Sequence, residues 1–540
     1  MRRRRFVSFG AVFLCVPLFF YLFLPLRSRK NIIHTDREML DRKERFLEEQ
    51  RSREGNNGRP NIVLIVADDL GKTDISLHGN LDVHTPHIDA IGQGGVIFDN
   101  AYCTSPICSP SRAGLLTGRF QQRFGYELQS QSRYPRNRLE YFVAKHFVDM
   151  GDWVVNGNTN FPSKEDHEEQ GIPITEITMG ELLQAGGYGT AVIGKWHLGY
   201  NDPYLPHNRG FDLHYGFYEA FSIYAPTDNP DIISYRHDYY KNKYTWKKGR
   251  KGTCAVRRNG QAVREDRYLT TAIGKEAAAY IKERHNDGGP FFLYVPFSAP
   301  HTPFQATREY YDKFAHIDDP AKRTYCAMIA ALDDAVGMIT GTLQEYGLTE
   351  NTLVIFTSDN GGATYTEATD NGPLEGGKMT NFEGGLNVPL MMSMPGSIKP
   401  GIIYGPDVSL ADIFPTAAAL AEIPLPTDRS YDGVDLIPYV TGELKEVPHD
   451  ALFWRNDYTG AVIKDGWKLI RDDKRDRSFL YYLKADKTER ENLSVERPGK
   501  VKELLRLFRS WSGTMAEPRW RSFIEFRFKA ADGTYHYFPI

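Results

Sequence analysis

The chain has 540 residues, 41% of them apolar and 25% charged, which is enough for a large core and more than one domain and excludes a disordered chain. Its 66 basic and 69 acidic side chains give a formal net charge of −3, so no global basic field points to nucleic acid as a partner. Five cysteines are too few for a disulfide scaffold.

The first thirty residues read as an export segment. Arg2, Arg3, Arg4 and Arg5 precede an almost uncharged apolar run over 6–26, and Arg27, Arg29 and Lys30 follow it. The run is long enough to span a bilayer, and no small-x-small cleavage site stands at its end. The expectation for 1–30 is an uncleaved membrane anchor with the arginines cytoplasmic, a cleaved signal being the alternative. Either way the body is exported, facing periplasm, lumen or exterior. Residues 31–59 are charged, lack a strong apolar stripe beyond Met39, Leu40, Phe46 and Leu47, and read as a linker or stalk that is in part helical.

From 60 the pattern changes. Residues 61–67 form an unbroken apolar, β-branched run, the mark of a strand covered on both faces, and end in Asp68-Asp69. Three more runs repeat the design. Residues 190–194 lead into Lys195-Trp196-His197, 291–295 into Ala299-Pro300-His301-Thr302-Pro303, and 352–356 into Ser358-Asp359-Asn360-Gly361-Gly362. Helical patterns lie between them at 178–185, 269–284 and 325–346. This alternation predicts an α/β fold, a large mixed and mostly parallel sheet sandwiched by helices over 60–438. Ligands of such sheets sit beyond the carboxyl ends of the strands, where all four runs deliver charged or metal-competent residues.

The segment 202–267 is aromatic, basic and irregular, and reads either as an insertion over the catalytic edge or as a decorated surface loop. Its Arg236 and His237 are candidates for substrate binding, since arginine pairs with anions and aromatic rings stack on sugars. After 438 short strands are expected at 451–455, 461–464, 467–471 and 479–483. Asp465-Gly466 signals a hairpin turn, and a helix is expected at 501–512. A smaller antiparallel α+β subdomain with its tail therefore occupies 439–540.

Two groups carry chemistry. Cys108-Ser109-Pro110-Ser111-Arg112 reads as a loop turning into a helix, with Pro110 in the first turn and Ala113, Leu115 and Leu116 as helix formers. Cys108 then lies at a helix N-terminus, where free N–H groups favour an anion. Asp68, Asp69, Asp359 and Asn360 are hard oxygen donors that suit Ca²⁺ or Mg²⁺ rather than zinc.

The segment Cys108-Ser109-Pro110-Ser111-Arg112 with Ala113-Gly114-Leu115-Leu116-Thr117-Gly118-Arg119 resembles the signature of type I, formylglycine-dependent sulfatases of the alkaline phosphatase superfamily. Gly194-Lys195-Trp196-His197-Leu198-Gly199 is similar to the family's second signature. The resemblance extends from 60 to about 492 and implies the alkaline-phosphatase-like fold. It implies oxidation of Cys108 to formylglycine by a modifying enzyme, and Asp68, Asp69, Cys108, Asp359 and Asn360 around a calcium ion, with magnesium second. It implies catalytic roles for Arg112, Lys195, His197, His301 and Lys378, with Lys195 and His197 on sulfate and nucleophile and His301 near the leaving group. A hydrated aldehyde has one hydroxyl to attack sulfur and a second whose deprotonation expels sulfate. Asn387 departs from the arginine that many members carry there, which touches local packing and not the reaction. The implied activity is hydrolysis of a sulfate ester on a carbohydrate, of the carrageenan-like or glycosaminoglycan kind. A phosphatase, phosphodiesterase or phosphonate monoester hydrolase of the same superfamily is the alternative. An inactive anchored binding protein is opposed by the presence of every named position.

Overall fold

The apolar run at 61–67 is strand β1 (Asn61–Asp68), all eight residues of which are buried. Its side chains alternate between two cores, as a strand covered on both faces requires. Ile62, Leu64 and Val66 join one, and Val63, Ile65 and Ala67 the other. The structure is a computed structural model; it describes residues 22–24, 26, 36–53 and 58–540 except 130–133, 149, 159–160, 163–165, 167 and 238–239. The expected export run at 6–26 lies outside these residues except for Leu22, Phe23, Leu24 and Leu26. Among the described residues one helix is long and apolar enough to cross a membrane, Pro320–Glu345, and most of it is buried in the body.

The elements that place the site come after β1 in chain order. They are helix α1 (Cys108–Thr117), strand β2 (Gly189–Lys195), helix α2 (Leu269–Asp287), strand β3 (Phe291–Pro300), helix α3 (Pro320–Glu345) and strand β4 (Thr352–Ser358). The central sheet has ten strands. Its order is Ile402–Tyr404, Val96–Phe98, Leu390–Ser393, β4, β1, β3, β2, Leu213–Phe217, Arg257–Arg258, Gln261–Ala262. The pairs β4–β1, β1–β3 and β3–β2 are all parallel, and Leu390–Ser393 is antiparallel to β4. The sheet is thus mixed and mostly parallel at its centre, as expected. Helices α2 and α3 cover the second core, and α1 with Met179–Ala185 and Ile413–Leu420 covers the first. Four adjacent parallel strands end on one side, which brings Asp68, Lys195, Pro300 and Ser358 to the same edge.

Residues 31–59, read from the sequence as a linker, contain helix Arg37–Arg51, capped by Asp36 accepting from the Met39 N–H at 3.0 Å. It lies on the body. Leu47 enters the first core, and Lys43 donates to the Ile174 and Glu176 carbonyls and to Glu181 at 2.6–2.8 Å. The sequence shows no strong stripe there because a buried lysine anchors the helix.

Toward the C-terminus, Leu452–Asn456, Thr459–Lys464, Trp467–Asp472 and Arg477–Tyr482 form a four-stranded antiparallel sheet. Asp465 and Gly466 turn its central hairpin with φ of 56° and 81°, the left-handed pair that an Asp-Gly turn provides. Helix Pro498–Ser512 packs Leu504 and Phe508 on it. The tail returns as hairpin Ile524–Lys529 and Tyr535–Pro539, and Trp153–Val155 adds a third strand.

His214, on Leu213–Phe217, is 2% exposed, and neither ring nitrogen has a hydrogen-bond partner among the described residues. Burial, with the Arg257 charge beside it, pushes its pKa down to about 3. An unfolded histidine protonates near 6.5, so the stability His214 contributes is whole above that pH and is lost as pH falls toward about 3. Buried Glu127 and Glu489, pushed up to about 7 and about 8, act in the opposite direction, so the effect is read as a difference. The parent chain should lose more of its thermal midpoint between pH 7 and pH 5 than His214→Gln does. Equal losses in calorimetric melts would contradict this.

Candidate active site

The Cys-x-Pro-Ser-Arg loop does turn into a helix. Ile107 is extended at φ −134°, its carbonyl accepts from the Ser111 N–H at 3.1 Å, and α1 begins at Cys108. All ten residues of α1 are buried, so its amino end opens into protein and not into bulk water. Gly118 closes the helix at φ 65°, donating to the Gly114 carbonyl at 2.9 Å.

Charged side chains of alternating sign meet that end. Lys195 Nζ lies 2.6 Å from Asp68 Oδ2, and Arg112 Nε lies 2.8 Å from Asp359 Oδ2. Arg112 Nη2 is 3.6 Å from Asp68 Oδ1, and Arg112 Nη1 donates to the Lys195 carbonyl at 3.2 Å. Lys378 Nζ donates to Asp69 Oδ2 at 2.8 Å and to Cys108 Sγ at 3.0 Å. Cys108 Sγ is 3.7 Å from Asp69 Oδ1, and Asn360 Nδ2 donates to that oxygen at 2.9 Å. His301 Nε2 lies 3.6 Å from Asp69 Oδ2. His197 Nε2 faces the side-chain amide of Gln129 at 3.4 Å. Asp68, Asp69, Cys108, Arg112, Lys195, His197, His301, Asp359, Asn360 and Lys378 are all buried and lie together, whereas Arg236 and His237 lie apart from them.

The backbone is forced at three of these places. Asp69, His197 and Met379 are non-glycine residues at φ of 63°, 57° and 73°, a region costly for them that survives only when the surroundings over-determine it. They are so determined. Tyr325 donates to the Asp69 carbonyl at 3.2 Å, Ser109 Oγ to the His197 carbonyl at 2.7 Å, and the Met379 N–H to the Pro106 carbonyl at 2.8 Å. Met379 in turn packs with Ile107, Trp153 and Phe526. The tail hairpin thus braces the residues next to both Cys108 and Lys378.

Protonation follows from burial and charge. Burial pushes the Cys108 thiol up to about 12, against the pull of Lys195 and Lys378, so it carries its proton. Burial would also raise Asp69, but the Lys378 and Lys195 charges hold it well below the carboxylate range. Asp69 in turn keeps Lys378 charged against burial. His197 and His301 are driven far below the histidine range by burial and are neutral, with Lys195 adding to the effect at His197. Burial lifts Asp359 to about 6 despite the Arg112 charge.

The donors fit a hard cation. Ligand atoms of Asp68, Asp69, Cys108 and His301 lie within 4.8 Å of one another. Asn360 Oδ1 and Asp68 Oδ1 are buried oxygens without a hydrogen-bond partner among the described residues, which an oxygen-seeking ion would satisfy.

Arg236 and His237 sit on the rim. Strand Ile232–Tyr235 pairs antiparallel with Phe304–Thr307, Tyr235 opposite Phe304, which sets the next two residues beside Thr302 and Pro303, adjacent to His301. The guanidinium of Arg236 lies over the Trp246 ring at 4.6 Å, and His237 packs on Tyr235 and Phe304. Asn387 donates to Glu383 at 3.1 Å and accepts from Lys72 at 3.2 Å, while Lys468 lies 2.9 Å from both Glu383 and Glu489. The positive charge that an arginine would bring comes from two lysines distant in sequence. Sequence reasoning assigned no role to Ser109 and missed Gln129, Tyr325 and Trp520, which carry no spacing signal.

A model of the Sulfatase family matches residues 60–423. N-acetylgalactosamine-6-sulfatase of Mus musculus is 32% identical over 416 residues, covering 76% of this chain and 71% of that protein. Steryl-sulfatase of Homo sapiens is 29% identical over 474 residues, covering 75% and 73%. The crystal structure of Ps i-CgsB in complex with k-i-k-neocarrahexaose superposes with a TM-score of 0.71 at 29% identity, covering 86% of this chain and 94% of that one.

Arg112 is fully buried, and Asp359 is its nearer carboxylate. Asp359→Ala should therefore cost about 3–5 kcal/mol in urea denaturation, the penalty for leaving a buried charge half-paired. Removing both charges in Arg112→Met with Asp359→Leu should recover most of that. A loss below about 1 kcal/mol in the single variant would contradict the pairing.

Proposed function

The chain belongs to the sulfatase family, and from that premise we propose that it removes sulfate from a sulfated carbohydrate through a formylglycine made from Cys108 beside a bound calcium ion. The observation that carries this reading is the setting of Cys108 Sγ, at a buried helix N-terminus, 3.0 Å from Lys378 and 3.7 Å from Asp69. When present, the hydrated aldehyde would supply the attacking hydroxyl, and calcium on Asp68, Asp69, Asp359 and Asn360 would offset charge on it and on the ester. Magnesium is the second choice, since it demands a stricter octahedral cage.

The chain's own groups supply the rest. Lys378 and Lys195 place two ammonium groups at the reacting edge, and Arg112 holds Asp359 and Asp68 in position. Lys378, kept charged by Asp69, is the group able to give the leaving oxygen a proton, with His301 beside Asp69 near that oxygen, while Lys195 and His197 contact the sulfate and the nucleophile. Charge balance favours sulfate. Asp68, Asp69 and Asp359 balance Arg112, Lys195 and Lys378. A divalent cation, an ionised hydroxyl and a singly charged sulfate ester keep that balance, whereas a doubly charged phosphate monoester leaves one negative charge uncompensated.

The mouse relative is named for N-acetylgalactosamine 6-sulfate, and the superposed structure holds k-i-k-neocarrahexaose. A sulfated sugar chain suits the rim formed by Arg236, His237 and Trp246 as well. The remaining parts of the reading are a host modifying enzyme for Cys108, anchoring through 1–30 or release after cleavage, an exported body, and a division near 438 between the catalytic part and a C-terminal subdomain.

Peptide mass spectrometry of the chain made beside a formylglycine-generating enzyme should find residue 108 converted, and Cys108→Ala should release no sulfate. Assayed on matched esters, kcat/KM should favour sulfate over phosphate by at least about a hundredfold, the scale of one lost charge compensation in a dry site. Unmodified Cys108 in an active preparation, or a preference for phosphate, would sink the reading.

A further inference from the structure

His197 has a second layer of support that ends in the C-terminal tail. Its ring is buried and neutral, so it carries one N–H, and which nitrogen holds it decides what the ring can accept or donate. Nε2 faces the Gln129 amide nitrogen at 3.4 Å, and Nδ1 has no partner among the described residues. Gln129 is itself fixed. The Trp520 indole N–H, 3% exposed, is shared between the Leu128 carbonyl at 3.2 Å and the Gln129 carbonyl at 3.3 Å. The same indole packs edge-on against Tyr126 at 4.9 Å. Ser109 Oγ gives its proton to the His197 carbonyl, so the Tyr126 hydroxyl donates to Ser109 Oγ, 2.5 Å away. Two arms therefore run from Trp520 to His197, one through Gln129 to the ring and one through Tyr126 and Ser109 to the strained backbone. Trp520 lies almost a hundred residues beyond the matched family region, which ends at 423.

We propose that Gln129, held in place by Trp520, is a positioning residue that fixes the tautomer of His197, its amide N–H donating to Nε2 so that the ring proton sits on Nδ1. Nδ1, which has no partner among the described residues, is then left as the ring's one N–H donor. The tail is by this route part of the active site and not an accessory to it. The proposal rests on the reading that His197 works at this site.

The test reads the ring itself. The full chain is labelled with ¹⁵N-histidine, and His197 is assigned by the signals lost in His197→Asn. Its two-bond proton–nitrogen pattern near pH 7, taken on the chain with unconverted Cys108, should show one tautomer with the proton on Nδ1. In Gln129→Ala and in Trp520→Phe, which removes only the indole N–H and a little volume, the pattern should become an average of both tautomers. In converted enzyme the same variants should lower kcat roughly tenfold with KM nearly unchanged. A proton on Nε2 in the parent chain, or unaltered ring signals in either variant, overturns the proposal. If Trp520→Phe does not fold, Gln129→Ala alone decides. The ring pattern does not depend on sulfate release, so failure of the sulfatase reading would show separately.

Discussion

Six buried charges of alternating sign hold this molecule's working edge together. Asp68 pairs with Lys195 and lies near Arg112, Arg112 with Asp359, and Asp69 with Lys378. None of these groups is tolerable alone, since an unpaired charge in such a setting costs several kcal/mol. Each therefore fixes the position of the next. Register is tied to the same requirement. Val66 lies beside Thr357 on one neighbour and Pro296 on the other, and a one-residue slip of β1 would exchange the two cores and turn Asp68 away from Lys195. The sheet thus sets the charges, and the charges in turn penalise any other register.

The site is preorganised at a visible cost. Left-handed backbone at Asp69, His197 and Met379 is conformational energy stored where three strands or loops turn into the site. That strain is held by side chains from other parts of the fold, Tyr325 of α3, Ser109 of α1 and the tail cluster around Trp153 and Phe526. A site held this way changes little when a charged ester arrives, which is what electrostatic stabilisation of a transition state requires.

Much of this was legible in the sequence because the relevant signals are local. The four core strands announce themselves as unbroken apolar runs, and the charged or metal-competent residues at their carboxyl ends are the next few positions in the chain. The Cys108 helix is visible in Pro110 and its helix formers. The parts that were not legible depend on partners distant in the chain. Val96–Phe98 and Ile402–Tyr404 are three-residue strands that exist only because a neighbour pairs with them. The docking of helix Arg37–Arg51 on the body is hidden because its anchor, Lys43, is a buried charge satisfied by residues more than a hundred positions away. Likewise Lys72 and Lys468 supply the positive charge that Asn387 lacks. Gln129 and Trp520 belong to the same class. Neither sits in a motif, and only the fold brings them to His197.

The central claim is that the strand-end cluster is a ready cradle for a divalent cation and a sulfate ester facing position 108. A crystal structure of Cys108→Ser, grown with calcium and a sulfated oligosaccharide, tests it most directly. The account requires the ion among Asp68, Asp69, Asp359 and Asn360, with a sulfate group lying between it and Lys378 and its sulfur facing the serine hydroxyl. A cation bound elsewhere, or a sugar whose sulfate points away from residue 108, would contradict it.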